Sequence, residues 1–345
     1  MKARLVKAQL ALILFACVAG SAGASVSRSA GDGLIAFTRY RLQDSPLWSE
    51  IWVVRPDGAG ERKVSHSSAP VEDDGAQWSP RGDLIAFERC PAHDTPCSVW
   101  VVAPDGSGQH VVGRCSTTDC NDSHPSFTAD GKHLVWVHEW GKVKQGTIAD
   151  DDQIDHSAIV ETDLHGGHLR FLRRADNYTG GFASPNVSPD GKRLLFDYYA
   201  WDPARITPDV LYVASLRGGP AQRVTPAGIQ TMAGSWSPDG KTVLFRPSSP
   251  TLGELTPGSN LYTVGIDGTH LRRITNVGPY HYVIAGAYSP DGRSIVFATD
   301  EDATANPLGN TFADIFVRPL HGTTARQVTH TANLDGWPSW GAGGS

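Results

Sequence analysis

Short apolar runs, each closed by an aromatic residue, recur along this chain behind a common turn phrase. Leu84-Ile85-Ala86-Phe87 follows Ser79-Pro80-Arg81-Gly82, Leu134-Val135-Trp136 follows Thr128-Ala129-Asp130-Gly131, and Leu194-Leu195-Phe196 follows Ser188-Pro189-Asp190-Gly191. Val243-Leu244-Phe245 and Ile295-Val296-Phe297 follow Ser237-Pro238-Asp239-Gly240 and Ser289-Pro290-Asp291-Gly292. Runs this short, bounded by turn residues, predict strands, and Asp-Gly supplies the positive φ that tight hairpins need. A second phrase follows in each unit, as in Ile51-Trp52-Val53 to Gly58, Val99-Trp100-Val101 to Gly106 and Leu211-Tyr212-Val213 to Gly218. A third strand-like piece ends near Val64, Val112, Leu172, Val224, Ile274 and Val328.

The closing aromatics are Phe37, Phe87, Trp136, Phe196, Phe245 and Phe297. They recur roughly every 50 residues, the spacing of a repeat architecture. Each unit predicts four short strands, and a four-stranded sheet has two faces that it cannot bury alone. Stacking such sheets around an axis buries both. The expected fold is therefore all-β, a six-bladed β-propeller of four-stranded antiparallel blades. The first unit begins at Asp32-Gly33-Leu34-Ile35-Ala36-Phe37 without an opening strand, and Trp337-Pro338-Ser339-Trp340-Gly341 reads as an opening strand without a unit. The C-terminal strand is expected to complete the first blade and close the ring.

The Trp-Ser-Pro-Asp-Gly phrase with its partner Ile-Trp-Val…Asp-Gly resembles the WD40-like PD40 repeat of TolB-type propellers, over roughly Asp32 to Trp340. The resemblance implies the architecture and a periplasmic setting. It reaches only the propeller part, because TolB carries a further α/β domain ahead of it for which this chain has no room. The Tol–Pal partner is not carried over.

Lys2, Arg4 and Lys7 precede an apolar stretch, Ala8 to Ala16, and Ala22-Gly23-Ala24 offers a small-x-small cleavage site before Ser25. The stretch is shorter than the about 20 residues of a membrane span. The expected division is a signal peptide at 1–24, a linker at 25–31 and the propeller at 32–345. A rival reading makes Leu14-Phe15-Ala16-Cys17 a lipoprotein box acylated at Cys17. Either way the mature chain is exported, periplasmic or secreted. Cys90, Cys97, Cys115 and Cys120 then sit in an oxidising compartment, and local pairing, Cys90 with Cys97 and Cys115 with Cys120, is the chosen connectivity. A net charge of −6 with scattered Lys and Arg gives no basic patch for nucleic acid. A closed ring leaves no sheet edge demanding a partner, so a monomer is the default.

Candidate chemistry lies in the long loops that precede the opening strands, since binding residues concentrate on loops held by a rigid frame. Asp73 and Asp74, Asp122 and His124, Tyr178, His281 and Asp335 are expected to converge around the axis. Asp73, Asp122 and Asp335 would be the oxygen donors if a divalent cation such as Ca²⁺ bound there. The alternative is a set of solvated loop ends. Trp140, Tyr198, Tyr199 and Trp201 are rim aromatics suited to a sugar or a partner surface, or else to packing between blades. Asp150-Asp151-Asp152 lacks the order of a calcium loop. No G-x-S-x-G, P-loop or H-E-x-x-H occurs. Two functions remain: a non-enzymatic module that binds a protein or envelope component through its long-loop face, or a metal-assisted carbohydrate lyase or hydrolase using axial His and Asp residues.

Overall fold

An apolar run with no polar alternation has to be covered on both faces, and the chain achieves this by placing each run second in a four-stranded sheet. The computed structural model describes residues 32–343, apart from 42–43, 45–46, 93–95, 114, 116–118, 145–152, 201–209, 227–228, 249–258, 279–280 and 301–312. The signal segment, Cys17, Asp150 to Asp152 and Trp201 lie outside the described residues. The described residues belong to the unit Gly31–Ser345 and form an all-β fold with no helix among them.

The strands run in chain order through the sheets. Strand β1 (Asp32–Tyr40) pairs with β2 (Ser49–Val54) and on its other side with the last strand, β24 (Leu334–Ala342). Strand β3 (Arg62–Lys63) extends β2. The next four, β4 (Glu72–Trp78), β5 (Ile85–Cys90), β6 (Ser98–Val102) and β7 (His110–Gly113), follow as antiparallel neighbours. One parallel pairing, Ser49 with Glu72, joins these two sets into an eight-stranded sheet.

Four further four-stranded antiparallel sheets follow. They are β8 (Cys120–Phe127), β9 (His133–Lys144), β10 (Gln153–Asp163) and β11 (Arg170–Asp176); then β12 (Gly180–Val187), β13 (Arg193–Ala200), β14 (Val210–Ser215) and β15 (Ala221–Arg223). Next come β16 (Gln230–Trp236), β17 (Thr242–Ser248), β18 (Tyr262–Gly265) and β19 (Arg272–Arg273); and last β20 (Val283–Tyr288), β21 (Ser294–Thr299), β22 (Asp314–Pro319) and β23 (Arg326–Gln327).

The turn phrase has a physical reason. The Ser188 hydroxyl donates to Asp190 at 2.5 Å and accepts the Arg193 N–H at 2.9 Å, while the same carboxylate accepts the Lys192 N–H. Gly191, at φ 68°, makes the reversal. Ser237 with Asp239, Ser289 with Asp291 and Thr128 with Asp130 repeat the device. The Ser188 hydrogen bond, followed by the Lys192 N–H, lowers the Asp190 carboxyl below the usual range.

Apolar cores lie between successive sheets. Val135 and Ile159 meet Phe182 and Phe196, Leu195 and Leu211 meet Trp236 and Phe245, and Leu244 and Leu261 meet Phe297 and Phe316. Ile51 and Val53 meet Ile85 and Phe87, and Ala86 and Val101 meet Trp136 and Ala158. Residues at the two ends of the chain share a core as well: Ile35 and Phe37 pack with Val296, Ile315 and Val328.

Candidate functional site

The opening strands are all interrupted at one place. Their pairing slips between Asp74 and Gln77, Ser123 and Ser126, Ala183 and Asn186, Met232 and Ser235, and Val283 and Gly286, and β24 slips against β1 between Gly336 and Ser339. Such bulges re-aim backbone and side chains. Here they line a cavity of about 100 Å³ to which all six opening strands contribute, with Gly75, His124, Ser184, Ala285 and Trp337 in its wall. A second cavity of about 310 Å³ lies toward the Ser-Pro-Asp-Gly turns. Gln77, Ser126, Asn186 and Ser235 border both cavities. The hydroxyls of Ser126 and Ser339 are buried without a hydrogen-bond partner among the described residues.

Non-glycine residues hold left-handed backbone at this rim: His124 (φ 53°), Ser184 (φ 49°) and Trp337 (φ 49°), with Asn177 (φ 59°) and Tyr178 (φ 58°) in the linker before β12. Each costs on the order of 1 kcal/mol or more and persists only where the surroundings enforce it.

Of the seven candidates, His124 alone lines this cavity. Asp73, Asp122 and Asp335 occupy equivalent positions, each opposite a basic residue on the next strand: Arg89, His138 and Arg39. Arg89 grips Asp73 with bonds of 2.6 and 2.9 Å, and Arg39 grips Asp335 with two of 2.7 Å while also reaching Glu61. Burial lowers the Arg39 guanidinium, but its bonds to Asp335 and Glu61 outweigh that and hold it above its ordinary range. Asp122 accepts from Trp136 Nε1 at 3.0 Å and meets His138 Nδ1 at 2.7 Å. Arg39 and Arg89 also stack on Trp52 and Trp100 at 4.4 and 4.6 Å. These carboxylates are occupied within their own sheets, an arrangement unsuited to a shared cation. Among the described residues the one His/Cys/Asp/Glu group compact enough for a metal is Cys115, Cys120 and His138, and its cysteines form a disulfide.

Asp74 faces the other way. Its carboxylate accepts the Thr38 hydroxyl at 2.8 Å, the Gly75 N–H at 2.6 Å and the Tyr40 hydroxyl, and it stands opposite Glu88. Burial, then the Glu88 charge, hold the Asp74 carboxyl well above the usual carboxylate range. Glu88 in turn accepts the His124 N–H at 2.8 Å. Sequence reasoning missed Tyr40, Glu88 and the ion-pair partners. A signal for the latter existed, since Arg39, Arg89 and His138 each lie two residues after a closing aromatic.

His281 approaches the Asp300 carbonyl at 3.0 Å, and the Tyr178 N–H donates to the Asp155 carbonyl at 3.3 Å. Neither comes from the bulge positions. Trp140 is stacked between His138 and His156 at 4.9 Å on each side, and Tyr198 packs on Phe182 at 5.2 Å. The disulfides are Cys90–Cys97 and Cys115–Cys120.

No family model matches the chain, and no curated protein matches it. Solved structures match its fold. TolB from Acinetobacter baumannii aligns with a TM-score of 0.65 at 17% identity, over 89% of this chain and 66% of that one. A chain of a nidogen/laminin complex aligns at 0.60 and 8% identity, over 90% and 97%. Oligogalacturonate lyase from Vibrio parahaemolyticus aligns at 0.52 and 11% identity, over 81% and 71%. The fold is TolB-like and propeller-like.

Proposed function

We propose that the chain is an exported six-bladed propeller, closed by β24 beside β1, that binds a protein or cell-envelope component through its long-loop rim. The ring reading is supported by the core that β1 and β2 share with β20 to β22 and by the β24–β1 pairing. The observation that carries the binding reading is the rim itself: His124, Ser184 and Trp337 hold strained backbone around one axial opening. Left-handed backbone also occurs at His168 and His270, in the turns before β11 and β19, but the three residues at the opening gather around one cavity, and strain gathered in this way supports a pre-organised contact surface. Export rests on the basic and apolar leader at 1–24 and agrees with the two disulfides. The propeller then starts at residue 32, the leader is absent from the mature chain, and the ring is a monomer.

The test is a crosslinking pulldown from native cell envelope with the mature chain from Ser25, beside a His124→Asn/Tyr178→Asn variant. Asn tolerates left-handed backbone, so the fold survives while the side chains are lost. A partner captured by the first and lost from the second supports the rim. A partner retained by both places the contact elsewhere.

Asp74, Glu88 and His124 favour one second reading, an acid–base site for a carbohydrate beside the opening, which Glu88 joins through the His124 N–H. A carboxyl held above its usual range beside a second carboxylate is a proton donor in waiting, and a lyase of oligogalacturonate shares the fold. The carboxylates Asp73, Asp122 and Asp335 do not fit a metal role in it, being engaged by Arg89, His138 and Arg39. Turnover of polyuronides that disappears in Asp74→Asn would establish this reading; none at any pH from acid to neutral would end it.

A further inference from the structure

Outer strands of the sheets are short. Strands β3, β15, β19 and β23 have two or three residues and β7 has four. Strand β11 has seven and pairs within its sheet only with β10. Short edge strands keep a sheet from adding foreign strands, so this long edge is an exception. It exposes Phe171 at 46%, preceded by Leu169 at 53%. Beside it an open groove of about 470 Å³ is lined by Arg170, Lys192 and Arg217, with Gly191, Ser215 and Leu216, and holds no carboxylate among the described residues. Behind the groove, Arg173 reaches, among the described residues, only the carbonyls of Leu172 and Ser215, at 3.3 Å each, and its Nε is buried without a partner among them. Arg170 meets Glu161 at 2.9 Å in an exposed pair, and such pairs, at about 1 kcal/mol or less, re-partner readily.

We propose that β11 and this basic groove dock an extended acidic segment of a partner protein, which adds a strand beside β11 and sets carboxylates against Arg170, Lys192 and Arg217. The backbone of an edge strand supplies affinity without regard to sequence, and flanking charges choose the partner. Gly191 belongs to a Ser-Pro-Asp-Gly turn, so the groove lies on the side away from the long-loop rim, and this surface works whether or not the rim binds anything.

The test measures fluorescence anisotropy of a labelled peptide alternating Glu and Val, titrated with the mature chain. Companion probes are a Lys/Val peptide, a Glu/Val peptide methylated at alternate amides, and polygalacturonate. Arg170→Glu/Arg217→Glu changes two exposed side chains, and its urea midpoint verifies the fold. The expected result is saturable binding of the acidic peptide, weakened by salt and by about tenfold or more in the charge-reversal variant. Binding is lost on amide methylation, and amide exchange slows across β11. Absence of binding, equal binding of the methylated or Lys peptide, or an unchanged affinity of the variant would overturn the proposal. So would binding of polygalacturonate in place of the peptide, which would make the ligand an acidic polysaccharide. A rim partner that survives Arg170→Glu/Arg217→Glu, with the peptide lost, separates the two surfaces.

Discussion

Replacing Asp300 with Asn should stabilise the protein at neutral pH, and the size of the gain can be worked from its surroundings. Asp300 follows β21 and is buried; its Oδ1 accepts the Tyr282 N–H at 2.8 Å, while Oδ2 has no hydrogen-bond partner among the described residues. Burial pushes its carboxyl up from 3.8 to about 6, against the Tyr282 bond and His281. At roughly 1.36 kcal/mol for each pH unit of displacement, ionised Asp300 costs the fold about 3 kcal/mol. The sign follows from proton binding. The folded chain holds this proton more tightly than the unfolded chain, so the contribution is complete below pH 3.8 and is lost as pH rises through about 6. Asn keeps an acceptor for Tyr282 and removes the charge. Urea unfolding should therefore show Asp300→Asn more stable by about 2–3 kcal/mol near pH 7.5 and level with the parent near pH 4. A variant no more stable at pH 7.5, or a gap that persists at pH 4, would refute the reasoning.

Arg39→Ala leaves Asp335 buried without its bidentate partner, so a loss of about 3–5 kcal/mol is expected, and Arg39→Met/Asp335→Leu should recover most of it. Calorimetry at neutral pH decides between that and an additive double loss. Each disulfide closes a short loop, with sequence separations of 7 and 5, so replacing either pair by Ser should cost about 2 kcal/mol. Ser188→Ala removes the hydroxyl that ties Asp190 to Arg193 and should cost about 1 kcal/mol. An unchanged urea midpoint would show that the turn forms without it.

The sequence carried the fold because its unit was repeated. One turn phrase fixes a hairpin through Ser188, Asp190 and Gly191, and its recurrence multiplies a weak local signal until it excludes other architectures. The site was less legible. Asp73, Asp122 and Asp335 looked like free carboxylates because their partners lie on a neighbouring strand, and only the register brings Arg89, His138 and Arg39 opposite them. The bulges that bring His124 and Ser184 to the wall of one cavity depend on pairing slips that no residue type announces. Trp140 read as a rim aromatic, yet the histidines that cover it, His138 on its own strand and His156 on the next, become visible only in three dimensions.

The proposed closure of the ring by β24 is the premise of every reading of the rim. The direct measurement is amide hydrogen exchange on the mature chain beside a chain ended at Ala332, with and without a synthetic peptide of residues 333–343. Closure predicts that truncation speeds exchange in β1 and in β20 to β22 together, since they share one core, and that the peptide restores protection. Protection in β1 that survives the truncation would contradict it.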